Sequence, residues 1–140
     1  DLQRCNPLLL TSWLRSLPPS ASDIVLLHCY PFHREAGYLA QIFPRIYFDV
    51  GLAINYSGAM SHRIVAESLE LAPFSKILFS TDAWGLPELH HIGAALWRRA
   101  MKRILSSLID AGDWSIDDAK RVATLTGRDN AIRLYDLPVA

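Results

Sequence analysis

The chain has 140 residues, of which 51% are hydrophobic, and its 14 basic and 14 acidic residues give a formal net charge of zero at neutral pH. This length suits one compact domain with a buried core, and a content of 20% charged and 10% aromatic residues excludes a disordered chain. Because the charge is balanced, composition gives no reason to expect nucleic acid or an anionic membrane as a partner. Small-molecule ligands and protein partners remain as the classes of partner that composition allows.

Cysteine content and hydropathy indicate where the protein works. Two cysteines, Cys5 and Cys29, are too few for a disulfide scaffold, and Cys29 lies in an apolar run where a buried thiol is ordinary. The apolar runs are far shorter than the roughly 20 residues of a membrane span, and no signal-peptide pattern opens the chain. We therefore expect a cytoplasmic protein. The first residue is Asp1 rather than Met, which indicates a piece of a longer protein.

Helical and extended segments alternate along the chain. The predicted elements are, in chain order, helix 7–17, strand 24–29, helix 32–43, strand 46–51, helix 58–72, strand 76–80, a helix from 87 or 88 to about 110, helix 115–126 and a last turn or helix at 128–135. Asn6 before Pro7 is a helix start, and Ser115 with Asp118 forms a capping box. Gly112 ends the long helix that precedes that box.

The alternation predicts an α/β fold. Strands separated by helices of ten or more residues favour right-handed crossovers and a parallel sheet. The first strand lacks polar alternation, so we expect it to be covered on both faces. Three strands alone would leave two open sheet edges, and such edges invite mispairing unless something covers them. The sequence therefore predicts further strands outside these 140 residues.

Three side chains stand at the predicted carboxyl ends of the strands, where parallel α/β folds collect ligands. They are His28, Asp49 and Asp82. Imidazole and carboxylate groups are ligands for zinc or a similar divalent ion, and they also serve as general acids and bases. The alternatives are structural. A strand-end histidine is more often a hydrogen-bonded structural residue, Asp82 also suits a turn or a cap, and Asp49 is the weakest of the three candidates.

The remaining histidines have simpler explanations. His33 and His62 stand on predicted helices or at their starts, where a solvent-exposed or capping position is expected. His33 begins the helix after the first strand, so it could also reach the edge of the sheet where His28 lies. His90 and His91 are adjacent, so their rings diverge by roughly 100° on a helix and cannot address one ion. A surface position, or one behind the first ligands, is expected for both.

Other chemical motifs are absent from the sequence. It has no Gly-rich phosphate loop, no cysteine pair at zinc-finger spacing and no Gly-x-Ser-x-Gly elbow. The basic residues Arg98, Arg99, Lys102 and Arg103 share one side of the long helix, and a solvated outer face explains them.

Several blocks of sequence resemble one enzyme family. Residues 25–40 with the block His-Cys-Tyr-Pro at 28–31, residues 46–52, and residues 77–89 with the block Ser-Thr-Asp-Ala at 80–83 are similar to the C-terminal part of amidohydrolase-related proteins. The closest likeness is to the branch associated with, or fused to, glutamine-synthetase-like domains. The tail at 127–135 resembles that branch's closing helix.

The resemblance implies the C-terminal portion of a TIM-type (β/α)8 barrel, so that residues 1–140 are one partial domain. His28 would end the sixth strand and Asp82 the eighth. In the family, the eighth-strand aspartate binds metal and takes a proton from the metal-bound water, and the sixth-strand histidine binds a metal or assists the water. His28 and Asp82 therefore inherit both catalytic and metal-binding roles, with zinc as the expected ion. The family's ligands from earlier strands have no counterpart here.

The resemblance also implies a function. We expect the parent protein to be a metal-dependent hydrolase of a C–N amide-type bond in a small-molecule substrate, and the isolated chain to be inactive. Two alternatives stay open: a metal-dependent decarboxylase of the same superfamily, and a non-catalytic α/β module that binds a partner through its open sheet edges. A homo-oligomer and a glutamine-synthetase-like partner or fused domain are further open expectations.

Overall fold

The computed structural model describes residues 4–138, so residues 1–3, where the sequence opens on Asp1, lie outside the described residues. Three parallel strands form one sheet in the order β1-β2-β3. The helices and strands are α1 (Thr11–Ser16), β1 (Ile24–Leu26), α2 (His33–Ile42), β2 (Ile46–Asp49), α3 (Gly51–Ser57), α4 (Ser61–Ser68), β3 (Ile77–Leu78), α5 (Pro87–Asp110), α6 (Ile116–Thr124) and α7 (Asn130–Tyr135). The predicted α/β class with three parallel strands is confirmed.

The register of the sheet brings the strand ends together. Ile24 lies opposite Ile46 in the first pair of strands, and Asp49 lies opposite Leu78 in the second. Because all three strands run the same way, the segments that follow β1, β2 and β3 emerge at one edge of the sheet. Residue Phe48 of β2 is fully buried at the centre, where the helices cover it.

Most of the core lies between β2 and the helices that pack on it. The buried apolar residues of α2 are Ala36, Leu39 and Ala40. Helices α4 and α5 pack on each other and contribute Ile64, Val65, Ala100 and Met101. The basic residues of α5 are exposed, as the solvated outer face predicts. Within residues 4–138, no helix combines the length and the apolarity needed to cross a membrane.

The first predicted helix is wrong in its opening turn. Residues Pro7–Leu10 form a 3-10 helix, and the α-helix begins only at Thr11. The predicted cap is present, because the Asn6 side chain accepts a hydrogen bond from the Leu8 amide at 2.9 Å. The Leu9 amide bonds to the Asn6 carbonyl, a three-residue spacing that tightens this turn into the 3-10 form.

The outer strands are shorter than predicted. β1 ends at Leu26 because His28 adopts a backbone φ of +55°, which is incompatible with a strand. All three residues of β1 are only partly buried within the described residues. β3 ends at Leu78, and the next amide, that of Phe79, donates to the carbonyl of Thr126 instead of to another strand.

The helix α3 was missed by the sequence patterns, which placed residues 46–51 in a strand and began the next helix at 58. The chain turns into helix at Gly51, whose amide donates to the Asp49 carboxylate at 3.0 Å. Gly58, with φ +53°, ends α3, and a short 3-10 turn leads into α4. The predicted helix 58–72 is therefore shorter, and ends as an α-helix at Ser68.

The C-terminal helices form one continuous rod attached to β3. The predicted cap is present, since the Ser115 hydroxyl accepts from the Asp118 amide at 3.0 Å. α6 passes through a π-helical turn, Leu125–Asp129, into α7. The buried amide of Asn130 donates to the carbonyls of Phe74 at 2.6 Å and Ile77 at 2.9 Å. These two bonds fix the rod against the start of β3.

Candidate functional site

The side chains of His28 and Asp82 meet at the carboxyl end of the sheet. The Nε2 atom of His28 lies 3.3 Å from Oδ1 of Asp82. His28 follows β1 and Asp82 follows β3, so the two side chains reach towards each other past the end of β2. The side chains are 32% and 41% exposed, which leaves the pair accessible to a ligand.

Both residues have an unusual backbone conformation. The φ angle is +55° at His28 and +47° at Asp82, in the left-handed region that costs non-glycine residues of the order of 1–3 kcal/mol each. Asp136, with φ +50°, is the other non-glycine example within residues 4–138, and there the conformation ends helix α7. No helix ends at His28 or Asp82. They lie instead in the loops that follow β1 and β3, and their side chains meet over the end of the sheet.

Asp49 holds the chain beneath this pair. Its Oδ1 atom accepts hydrogen bonds from the main-chain amides of His28 and Gly51, each at 3.0 Å, and lies 3.7 Å from Nδ1 of the His28 ring. Only 2% of Asp49 is exposed. Asp49 was the weakest of the three strand-end candidates, yet the structure places its carboxylate directly against His28. Its Oδ1 atom is engaged by the main chain, so Asp49 acts on the site by fixing the turn at His28.

Two glycines allow the segment before Asp82 to pack tightly. A β-carbon at Gly51 would lie 2.6 Å from Oγ of Ser80, and one at Gly93 would lie 2.6 Å from Cγ2 of Thr81. Both distances are far below a normal contact. Helices α3 and α5 therefore press against residues 80–81 from two directions and leave little freedom to the backbone that carries Asp82.

Hydrogen bonds also fix the segment 80–82. The side-chain amide of Asn55 donates to the Thr81 carbonyl at 3.1 Å, and the Asp82 amide donates to Oγ of Ser80 at 3.2 Å. Sequence patterns did not single out Asn55, Gly51 or Gly93. The one local sequence signal for this segment is a Ser or Asp just before a turn, and Ser80, two residues before Asp82, matches it.

Burial raises the pKa of the Cys29 thiol to about 12, with a further contribution from the negative charge of Asp49. The Sγ atom donates to the Leu26 carbonyl at 3.4 Å. The thiol of the metal-free chain therefore stays protonated near neutral pH.

The prediction for His33 is wrong. We expected it to be solvent-exposed or capping, yet it is buried between α2 and α4, where Nε2 lies 2.7 Å from Oε2 of Glu67. The Nε2 atom of His33 is therefore engaged by Glu67 and not by the residues around His28. His62 stays local, with Nδ1 3.0 Å from the Ala59 carbonyl. His90 and His91 are exposed, as a surface position predicts.

Two pockets share His28. One, of about 260 Å³, is bounded by the loop after β1 and by helix α3. The other, of about 660 Å³, follows the outward edge of β1 and includes the loop at Cys5. A third, of about 380 Å³, is lined by Ile24 and Ile46 at the opposite end of the strands, away from the histidine and the carboxylates. Of the three strand-end side chains, His28 is thus the one that lines the first two pockets.

The pair fits part of a metal site. An imidazole nitrogen and a carboxylate oxygen are zinc ligands, and two ligands of a tetrahedral zinc ion with bonds of 2.0–2.1 Å lie about 3.4 Å apart. The 3.3 Å between His28 and Asp82 matches that separation. Within residues 4–138, however, no group of three or more His, Cys, Asp or Glu side chains is arranged to hold an ion. The described residues therefore do not form a complete metal site by themselves.

The chain is similar to two known proteins. It is 35% identical over 139 residues to Protein fluG of Emericella nidulans, a match that covers 98% of this chain and 16% of that protein. It is also 35% identical to a protein from Lactobacillus casei whose crystal structure is described as that of a "putative metal-dependent hydrolase". That match has a TM-score of 0.87 and covers 96% of this chain and 36% of the other. No family model matches the chain.

Both matches concern a part of a larger protein. The chain spans about one sixth of the curated relative and about one third of the solved structure. At this TM-score and identity, the chain and the matching third of the Lactobacillus casei protein share one fold.

Proposed function

We propose that this chain is the C-terminal part of a metal-dependent hydrolase whose (β/α)8 barrel is completed by strands from outside these 140 residues. The structural likeness to the Lactobacillus casei protein supports this proposal, because it extends over nearly the whole chain but only 36% of that protein. In this proposal residues 1–140 are one partial domain of an amidohydrolase-related barrel, and the free edge of β1 pairs with a preceding strand.

The observation that carries the proposal is the pairing of His28 with Asp82. Each residue is held at a positive φ in the loop that follows a strand, and the pairing brings an imidazole nitrogen within 3.3 Å of a carboxylate oxygen. Backbone strain of this kind persists where the surrounding structure enforces it, and it is concentrated at functional sites. His28 and Asp82 would hold a divalent ion, with zinc the expected one. Since a catalytic zinc site normally has three protein ligands, at least one more comes from outside the chain.

The residues present suit hydrolysis of a C–N amide bond. A bound divalent ion lowers the pKa of its water towards neutrality and polarises a carbonyl oxygen. The Asp82 carboxylate accepts a proton as water attacks the carbonyl carbon, and then delivers that proton to the nitrogen as the C–N bond breaks. A carboxylic acid and an amine result. His28 would serve as a ligand of that ion, and Asp49 fixes the backbone of His28.

The test is turnover by the full-length gene product, supplied with zinc. Amine release from amide substrates measures hydrolysis, and carbon dioxide release from aromatic or unsaturated acids measures the alternative decarboxylation. Asp82→Asn should lower turnover by several orders of magnitude, because the amide cannot take the proton. Asparagine tolerates a positive φ, so the backbone is preserved.

Asp136→Asn is the matched control, since Asp136 has the same backbone conformation at the end of α7. It should leave turnover unchanged. Full turnover by Asp82→Asn would remove this residue from the mechanism. Release of carbon dioxide without any amide hydrolysis would replace the hydrolase with the decarboxylase.

The proposal extends to the setting of the enzyme. We propose that it acts on a small-molecule substrate in the cytoplasm. A glutamine-synthetase-like domain, fused or separate, is the proposed neighbour, and the sequence on either side of this chain tests for it. A full-length protein with neither the earlier metal ligands nor turnover would favour the non-catalytic interaction module.

A further inference from the structure

The smaller pocket beside His28 is lined by residues that have no role in the pairing of His28 with Asp82. It has a volume of about 260 Å³ and is lined, besides His28, by Tyr30, Leu52, Ala53, Tyr56 and Ser57. An apolar cavity of about 150 Å³ is enough to bind benzene. The pocket therefore has room for an aromatic ring with a substituent.

Two tyrosine rings stand open at this pocket. Tyr56 is 82% exposed and Tyr30 is 55% exposed, although buried apolar surface stabilises a protein and large aromatic side chains are usually covered. Tyr56 comes from α3 and Tyr30 from the loop after β1, so the two rings reach the pocket from different elements. Open aromatic faces are suited to stacking on a flat group.

The Tyr30 ring is held in place from behind. It stacks on the ring of His33, with 5.7 Å between the ring centroids and 21° between the planes. His33 is itself buried and paired with Glu67 at 2.7 Å. The pair that sequence analysis missed thus supports one wall of the pocket, and Tyr30 presents a fixed surface rather than a mobile one.

The charge of the lining limits what the pocket can take. None of its lining residues is a lysine, an arginine or a carboxylate, and the polar side-chain groups of those residues, besides the His28 ring, are tyrosine and serine hydroxyls. The Ser57 hydroxyl already donates to the Ala53 carbonyl. A charged substrate group would lose water here without gaining an ion pair, which is unfavourable.

We propose that this pocket binds an uncharged, flat or aromatic group of the substrate, next to the bond that His28 and Asp82 act on. The inference deepens the proposed function and rests on it for the identity of the reaction. It also excludes a charged amino-acid group of a substrate from this pocket.

The test is a titration of the isotope-labelled full-length gene product without metal, followed by NMR chemical shifts. Three uncomplicated probes separate the possibilities: benzamide carries a ring and an amide, acetamide carries the amide alone, and L-glutamine carries an amide with two charges. Benzamide should give saturable shifts at Tyr30 and at residues 52–57, with an affinity at least tenfold higher than that of acetamide. L-Glutamine should bind no better than acetamide.

Variants of an exposed residue test the ring itself without threatening the fold. Tyr56→Ala should weaken benzamide binding about fivefold or more, and Tyr56→Phe should keep it within twofold, because the ring provides the contact. Tyr38→Ala is the control, since Tyr38 is exposed on α2 and lies outside the pocket lining. It should leave the affinity unchanged.

Several results would overturn the inference. They are the absence of saturable shifts with benzamide, tighter binding of L-glutamine than of benzamide, and an unchanged affinity in Tyr56→Ala. The same measurements distinguish a failure of the hydrolase proposal from a failure of the pocket assignment. If the full-length protein binds no divalent ion while benzamide still binds here, the pocket assignment stands and the metal reaction is wrong.

Discussion

The carboxylate of Asp49 accepts a hydrogen bond from the main-chain amide of His28 at 3.0 Å. The same oxygen accepts the amide of Gly51, which begins α3. One buried charge therefore connects the turn after β1 to the turn after β2. Since hydrogen bonds to a charged group are stronger than neutral ones, this connection sets the backbone from which the His28 ring extends.

Replacement of Asp49 should loosen this connection. Asp49→Ala leaves the buried Gly51 amide and the partly buried His28 amide without their acceptor. At 1.5–3 kcal/mol for a hydrogen bond to a charged group, we expect a loss of about 3 kcal/mol in the free energy of unfolding. Asp49→Asn keeps an acceptor oxygen and should lose about half as much. Urea denaturation measures both, and amide hydrogen exchange should quicken at His28.

The exposed Asp113 provides the control for that series. Asp113→Ala should change the free energy of unfolding by less than about 0.5 kcal/mol, as expected for a surface substitution. Equal stability of Asp49→Ala and Asp113→Ala, with unaltered exchange at His28, would show that the connection has no energetic role.

An alanine at position 93 should displace the segment that carries Asp82. Its β-carbon would meet Thr81 Cγ2 at 2.6 Å, so either α5 or residues 81–82 must move. We expect Gly93→Ala to cost about 1–3 kcal/mol of stability through overpacking and to lower turnover of the full-length enzyme more than a change of stability explains. Chemical shifts of Thr81 and Asp82 report the displacement directly.

The control for this change adds an atom on the exposed side of the same helix. Ala95→Ser should leave stability, shifts and turnover nearly unchanged, because Ala95 faces solvent. If Gly93→Ala behaves like Ala95→Ser, the close packing of α5 on Thr81 does not position Asp82.

Asn130 should be among the most sensitive polar positions in the chain. It is fully buried and donates to the carbonyls of Phe74 and Ile77, so Asn130→Ala leaves both acceptors buried without a donor and opens a small cavity. We expect a loss of about 2–4 kcal/mol, seen as a lower urea midpoint with an unchanged slope. Gln41→Ala, an exposed amide on α2, should lose less than about 0.5 kcal/mol. Similar midpoints for the two variants would contradict this assignment.

The alternation of elements and the position of the strand ends were predictable because both depend on local patterns. Apolar runs and helical periods gave the order of strands and helices, and parallel pairing then required His28 and Asp82 to point to one edge of the sheet. The end of β1 was not predictable. Leu27 and Cys29 continue the apolar run, whereas the positive φ at His28 stops the strand.

The contacts that surround the pair depend on residues far apart in sequence. Gly93 approaches Thr81 across 12 positions, and Asn55 bonds to Thr81 across 26. His33 pairs with Glu67 across 34 positions, and only that tertiary contact explains why it is buried. Local sequence patterns do not predict contacts between residues this far apart. The contacts that position His28 and Asp82 can therefore be identified only from the folded structure.

The most direct measurement of the central claim is the zinc content of the full-length gene product, determined after equilibration with limiting zinc. His28→Ala and Asp82→Asn should each lose at least half of the bound metal per chain, because each removes one of two adjacent ligands. His91→Ala and Asp136→Asn, one exposed histidine and one aspartate in a matching backbone conformation, should retain it. Full zinc content and unchanged affinity in both His28→Ala and Asp82→Asn would contradict the account.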